Sequence, residues 1–198
     1  MPSPEKFNET LKEYSIDEQT VKLINDGYEG LVSKASKPQK AAYFKRAVDI
    51  MEERLEFPVM RELLEANGCC KTGAREKASK AFAKENAALS LDERLPKIKD
   101  VPYMGNPVRN DDGSITVHAV YYGDGERYMC ACPNYNKVKR DYSVSKSYCF
   151  CCAGHFRHHY EIMLGAKLVT EEIVSSPLDS DGKNPCIIRF SVVKAVNV

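Results

Sequence analysis

Thiols and imidazoles crowd one stretch of this chain. Between Tyr128 and Phe190 lie six of its eight cysteines and three of its four histidines. They are Cys130, Cys132, Cys149, Cys151, Cys152 and Cys186, with His155, His158 and His159 among them. Thiolate, neutral imidazole and carboxylate are the donors that zinc takes, four at a time, in a closed structural site or an open catalytic one. The supply exceeds four. Cys149, Cys151, Cys152, His155, Glu172 and Cys186 are the candidate ligands, with Cys130, Cys132 and His159 also within the stretch. The pairs Cys130/Cys132 and Cys149/Cys151 are separated by one residue, which suits a strand better than the knuckle of a zinc ribbon. An iron–sulfur cluster is open on thiol number alone, but the spacing is none of the recognised ones.

The same residues can do covalent chemistry. A Cys149 or Cys151 thiolate beside His155 would be a nucleophile–base pair. A zinc with an open position would activate water instead. The plain alternative is a cysteine-rich corner with satisfied histidines and no function. Cys69-Cys70, far upstream, is either a pair of small apolar side chains or a thiolate activated at a helix N-terminus. The second reading gains if that turn faces the downstream cluster.

Composition narrows the setting. The chain has 198 residues, 43% hydrophobic and 29% charged, enough for one ordinary core. A formal net charge of +1 offers no field of one sign to hold a nucleic-acid backbone, so no nucleic-acid partner is expected. No apolar run is long enough to span a bilayer, and Met1–Glu5 does not read as a secretory leader. The cytoplasm is therefore the expected location. Thiols there are usually buried, metal-bound or catalytic, and the adjacent pairs Cys69-Cys70 and Cys151-Cys152 fit a disulfide ladder poorly.

The elements that must position these groups change type along the chain. Residues 1–95 read as a helical region. Phe7, Leu11 and Tyr14 form one apolar stripe; Val21, Ile24, Tyr28 and Leu31 form the next, with a break expected at Asn25-Asp26-Gly27. Lys37-Pro38 opens a third helix. Pro58 opens a fourth, with Val59, Leu63 and Leu64 inward and Gly68 as its stop, and Thr72 to Asn86 reads as a fifth. Leu91 to Val108 has no clear period. Residues 96–198 then read as strands around one helix. Ile115 to Tyr121 alternates, Tyr128 to Cys132 forms a strand with Cys130 and Cys132 on one face, and a helix runs through Leu164 to Gly165. Leu168–Ser175 and Cys186–Val193 make a hairpin on which Glu172 and Cys186 could meet. Asp179–Gly182 is a turn, without the later carboxylates of a calcium loop. The expected class is α+β: a helical N-terminal half, then an antiparallel sheet with packed helices, forming one unit.

Cys132-Pro133, Tyr148-Cys149, the helix through Gly154 to Gly165, the strand with Glu172 and Asn184 to Phe190 form a pattern over the last third. It resembles the 4-vinyl reductase type of small-molecule-binding domain, found in hydrocarbon and phenol sensors and in bacteriochlorophyll synthesis. It also resembles the L-2-amino-thiazoline-4-carboxylic acid hydrolase family. The resemblance implies an antiparallel sheet packed on helices, with a ligand pocket between them. It also implies a zinc held by cysteines and a glutamate, which by position are Cys149, Glu172 and Cys186. The sensor pattern has a further cysteine where this chain has Ser175, a place that Cys151, Cys152 or His155 could fill.

The expected function is therefore a module that binds a small organic ligand beside a Cys/His/Glu zinc site. The alternative is a hydrolase of a C–N or C–S bond in a small heterocycle, using Cys149, Cys151 and His155. No membrane partner is expected, and a homodimer is an open oligomeric state.

Overall fold

Short polar side chains set the starts of several helices. In the computed structural model, which describes residues 3–30, 35–119, 122–123 and 125–195, Ser3 accepts from the Lys6 N–H ahead of α1 (Pro4–Glu13). Asp17 accepts from the Thr20 N–H at 2.9 Å ahead of α2 (Glu18–Asn25). At α3 (Lys37–Arg54) the Gln39 side chain returns to the Ser36 N–H at 2.9 Å. Each contact satisfies a backbone donor that the first helical turn leaves open. The expected break at Asn25-Asp26-Gly27 ends α2, and Leu31 lies outside the described residues. In α4 (Phe57–Ala66) Met60, Leu63 and Leu64 are buried, while Val59, expected inward, is exposed. α5 (Ala74–Glu85) follows.

The stretch without a clear period holds α6 (Leu91–Arg94) and a 3-10 turn over Leu95–Asp100. A capping box between Ser90 and Glu93 marks that start in the sequence, and its shortness hides the period. β1 (Asn106–Arg109) and β2 (Ile115–His118) form a hairpin over the Asn110–Gly113 turn, and Val120 and Tyr121 lie outside the described residues. β3 (Tyr122–Gly123) and β4 (Tyr128–Met129) are a two-residue ladder of their own.

After the 3-10 turn Lys146–Cys149 comes α7 (Phe150–Leu164), closed by Gly165 in the left-handed conformation at φ 64°. β5 (Ala166–Ser175) and β6 (Ile187–Ala195) complete an antiparallel sheet of order β1-β2-β6-β5. The α+β class and the helical N-terminal half are as the sequence indicates.

α7 is buried on almost every side, because it lies between β5 and the pair α4 and α5. The approach to α4 is close. A Cβ on Gly154 would sit 2.2 Å from the Glu65 carbonyl oxygen, so this crossing requires glycine. Arg157 pairs with the buried Glu65 carboxylate at 2.5 Å across the same contact. A second cluster, Phe7, Tyr43, Phe44, Tyr148 and Tyr135, packs mostly edge to face and joins the N-terminal helices to the turn preceding α7. Residues 1–95 and 96–198 thus meet along one helix. Among the described residues, no helix is long and apolar enough to cross a membrane.

Candidate functional site: a thiol-lined cavity

Four segments converge beside the start of α7. The α4–α5 turn brings Cys69 and Cys70. The loop after β4 brings Cys130 and Cys132. The start of α7 brings Cys149 and Cys152, and the residue before β6 is Cys186. These seven of the eight cysteines line a cavity of about 140 Å³, together with Ala119, Pro133 and Phe156, and with Arg75, Tyr103 and His155. Arg75 is its one charged lining residue if His155 is neutral, and its guanidinium lies over the Tyr103 ring at 4.7 Å.

The histidines explain why the upstream turn reaches the cluster. His155 Nδ1 lies 2.9 Å from the Cys69 carbonyl, and His159 Nε2 lies 2.9 Å from the Cys70 carbonyl. A carbonyl only accepts, so each of these ring nitrogens carries the proton. The other nitrogen of His159 faces the Ser79 hydroxyl at 2.9 Å, and that of His155 faces Arg75 Nη1 at 3.5 Å. Burial, followed by the nearby His159 and Arg75, pushes His155 down to about 3, and burial lowers His159 as well. Both rings are neutral at physiological pH. They latch a turn whose Cys70 sits at φ 60°, a left-handed conformation costing a non-glycine residue roughly 1–2 kcal/mol.

The thiols have poorer partners. Cys132 Sγ lies 3.1 Å from the Tyr148 hydroxyl, and Cys149 Sγ lies 3.2 Å from the Ser176 hydroxyl. Cys130 Sγ accepts from the Cys132 N–H at 3.4 Å. Burial pushes Cys69 up to about 11 and Cys186 up to about 12, and raises Cys130 and Cys149 too. Cys152 is raised and Cys151 lowered, because the Cys152 thiol donates to Cys151. Cys69, Cys130, Cys149, Cys152 and Cys186 are thus protonated thiols in an apolar space. A cation that bonds to sulfur would displace their protons.

Four of the expected site residues, Cys149, Cys152, His155 and Cys186, do line one cavity. Cys151 is buried but lies outside the lining, with its carbonyl 3.0 Å from where a Gly68 Cβ would stand. Glu172 is exposed on the outer face of β5 opposite Arg189 and does not meet Cys186. The cause is a bulge: the register slips between Thr170 and Glu172, so the core-facing parity passes from Thr170 to Ile173. Cys130 and Cys132 are not on a strand, since β4 stops at Met129. Cys69-Cys70 faces the downstream cluster, yet α5 starts only at Ala74 and the Cys69 thiol is raised, so Cys69 is not an activated thiolate. His118 is exposed on β2. Arg75 and Tyr103, unforeseen, come from segments that carry no cysteine.

Among the described residues, no three His, Cys, Asp or Glu side chains are grouped so that they could hold one metal ion. The thiols surround a space rather than a point. No family model, no curated protein and no solved structure matches this chain.

Proposed function

We propose that this chain is a small-molecule-binding module whose thiol-lined cavity is the ligand site, and that its ligand is a compact species that bonds to sulfur. The observation that carries this is the convergence of seven cysteines from four segments on one cavity. Random burial of small apolar side chains would scatter them through the core. The volume suits a small occupant, because an apolar cavity of roughly 150 Å³ accommodates a molecule the size of benzene. On this reading the ligand pocket and the thiol cluster expected beside it are one place.

Zinc belongs to the same class of occupant. As placed, the donors do not form a mononuclear site: Glu172 faces outward, and both nitrogens of His155 are engaged. A zinc site would require the thiols to close inward from the cavity walls. The hydrolase alternative has less support. It needs an imidazole free to take a proton from a thiol, whereas His155 donates to the Cys69 carbonyl and is held near 3.

The test is a titration of the reduced, metal-free chain with cadmium, read by sulfur-to-metal charge-transfer absorption and by the number of thiols that still react with a disulfide reagent. Saturable absorption with several thiols protected is the expected result. Thiols that react equally with and without cadmium would sink the proposal.

A further inference from the structure

We propose that the ligand of this cavity is a compact organic monoanion, a carboxylate on a short apolar body, with its charged end held by Arg75 and its body among the thiols and Phe156. This rests on the reading of the cavity as the ligand site and adds the ligand's charge and its anchor. The first argument is charge. Arg75 is half-buried and lines a cavity whose remaining wall is largely thiols with Ala119, Pro133 and Phe156. A thiol is a small apolar group with a weak donor, so the guanidinium is the strong polar group there. A mostly apolar wall with a few fixed polar groups takes an apolar body and orients it by its polar end. Among the described residues, Arg75 has no carboxylate within ion-pair distance, and the adjacent Glu76 pairs with Lys80 at 2.7 Å. The partners its side chain does have are uncharged: the His155 ring nitrogen at 3.5 Å and the Tyr103 ring at 4.7 Å.

The second argument is placement. Tyr103 sits at φ 67°, a left-handed conformation that a bulky residue rarely adopts, and it is 55% exposed. Core packing therefore does not account for the strain. What the ring does touch is the Arg75 guanidinium. A cation–π contact is made without an acceptor atom, so it steadies the cation and leaves its N–H fork to a ligand. That fork matches the two oxygens of a carboxylate, and one cation balances one negative charge. A dianion such as a phosphate monoester would keep an uncompensated charge against an apolar wall. Size agrees. Isobutyrate has about as many heavy atoms as benzene, which an apolar cavity of roughly 150 Å³ accommodates, and the volume here is about 140 Å³.

The experiment titrates the full, reduced chain with isobutyrate and, separately, with its neutral isostere isobutyramide, read by proton–nitrogen NMR. Saturable shifts at Arg75, Ala119 and Phe156 are expected with isobutyrate, at an affinity about tenfold or more above that for the amide. Arg75→Gln should remove that preference and Arg75→Lys should keep part of it, while the dispersion of each spectrum reports whether the variant is folded. Tyr103→Ala should weaken isobutyrate and leave isobutyramide unchanged. Equal affinities for acid and amide, or a preference that survives in folded Arg75→Gln, would overturn the inference. No saturable shift from isobutyrate, with the thiols still protected by cadmium, would overturn the anion and leave the binding reading standing. Neither shift nor protection would remove both.

Discussion

The histidine row of α7 and the thiol-lined cavity at its start are neighbours with opposite uses. Both look alike as donor sets in the sequence. In the fold, His155 and His159 place their nitrogens on two backbone carbonyls, on Ser79 and on Arg75, whereas the thiols enclose an apolar space with few hydrogen bonds. Imidazole is a strong hydrogen-bonding group that is costly to bury unpaired, while a thiol is a small apolar group with a weak donor. The same helix can therefore use histidine to fasten its surroundings and cysteine to leave a site open. The histidines hold the structure and the cysteines line the cavity.

The harshest test strikes the seat that both rows share. Gly154→Ala would drive a methyl against the Glu65 backbone, so a loss of about 3 kcal/mol or more is expected by chemical denaturation. A neutral result would show that α7 can move away from α4 without harm. His159→Ala removes partners from the Cys70 carbonyl and the Ser79 hydroxyl and opens a cavity, for an expected loss of about 3 kcal/mol. Cys70 should then react faster with thiol reagents. If stability held, the distinction between fastening imidazoles and open thiols would collapse.

Acid should act mainly on the histidine side, Cys151, lowered to about 6, being the exception among the thiols. The folded value of His155, about 3, lies below its ordinary value of 6.5, so the unfolded chain binds the extra proton between them. That stabilisation is complete above pH 6.5 and is lost as pH falls towards 3, by at most about 1.4 kcal/mol per unit. Urea midpoints between pH 7 and pH 4 should show the slope, and His155→Gln should make it shallower, the lowered His159 keeping a part of it. On the thiol side, Cys186→Ser should change stability by about 1 kcal/mol or less while cutting cadmium protection of the remaining thiols. Glu172→Ala, on the exposed face, should alter stability by no more than about 0.5 kcal/mol and leave cadmium binding intact.

Local signals were readable where the chain decides its own structure. The helix-opening Pro38 and Pro58, the break at Asn25-Asp26-Gly27 and the left-handed stop at Gly165 all act within a few residues. Cys149, Cys152, His155 and Cys186 were identifiable as a group by residue type. Glu172 misled because a bulge leaves no mark in the alternation until the partner strand is known. Arg75 and Tyr103 could not be placed, since they join the cavity through the crossing of α5 and of the segment before β1. The sequence also hides the roles of the imidazoles, because their acceptors lie 86 and 89 positions upstream.

Those separations have a consequence for the order in which the protein is made. The Cys69-Cys70 turn leaves the ribosome long before the helix that fastens it, and the last wall, at Cys186, is added later still. For most of synthesis the early thiols lack the native enclosure, whose remaining walls lie far downstream. The pocket is therefore a late product of translation, and on the proposed reading a ligand would enter only with, or after, the docking of that one helix.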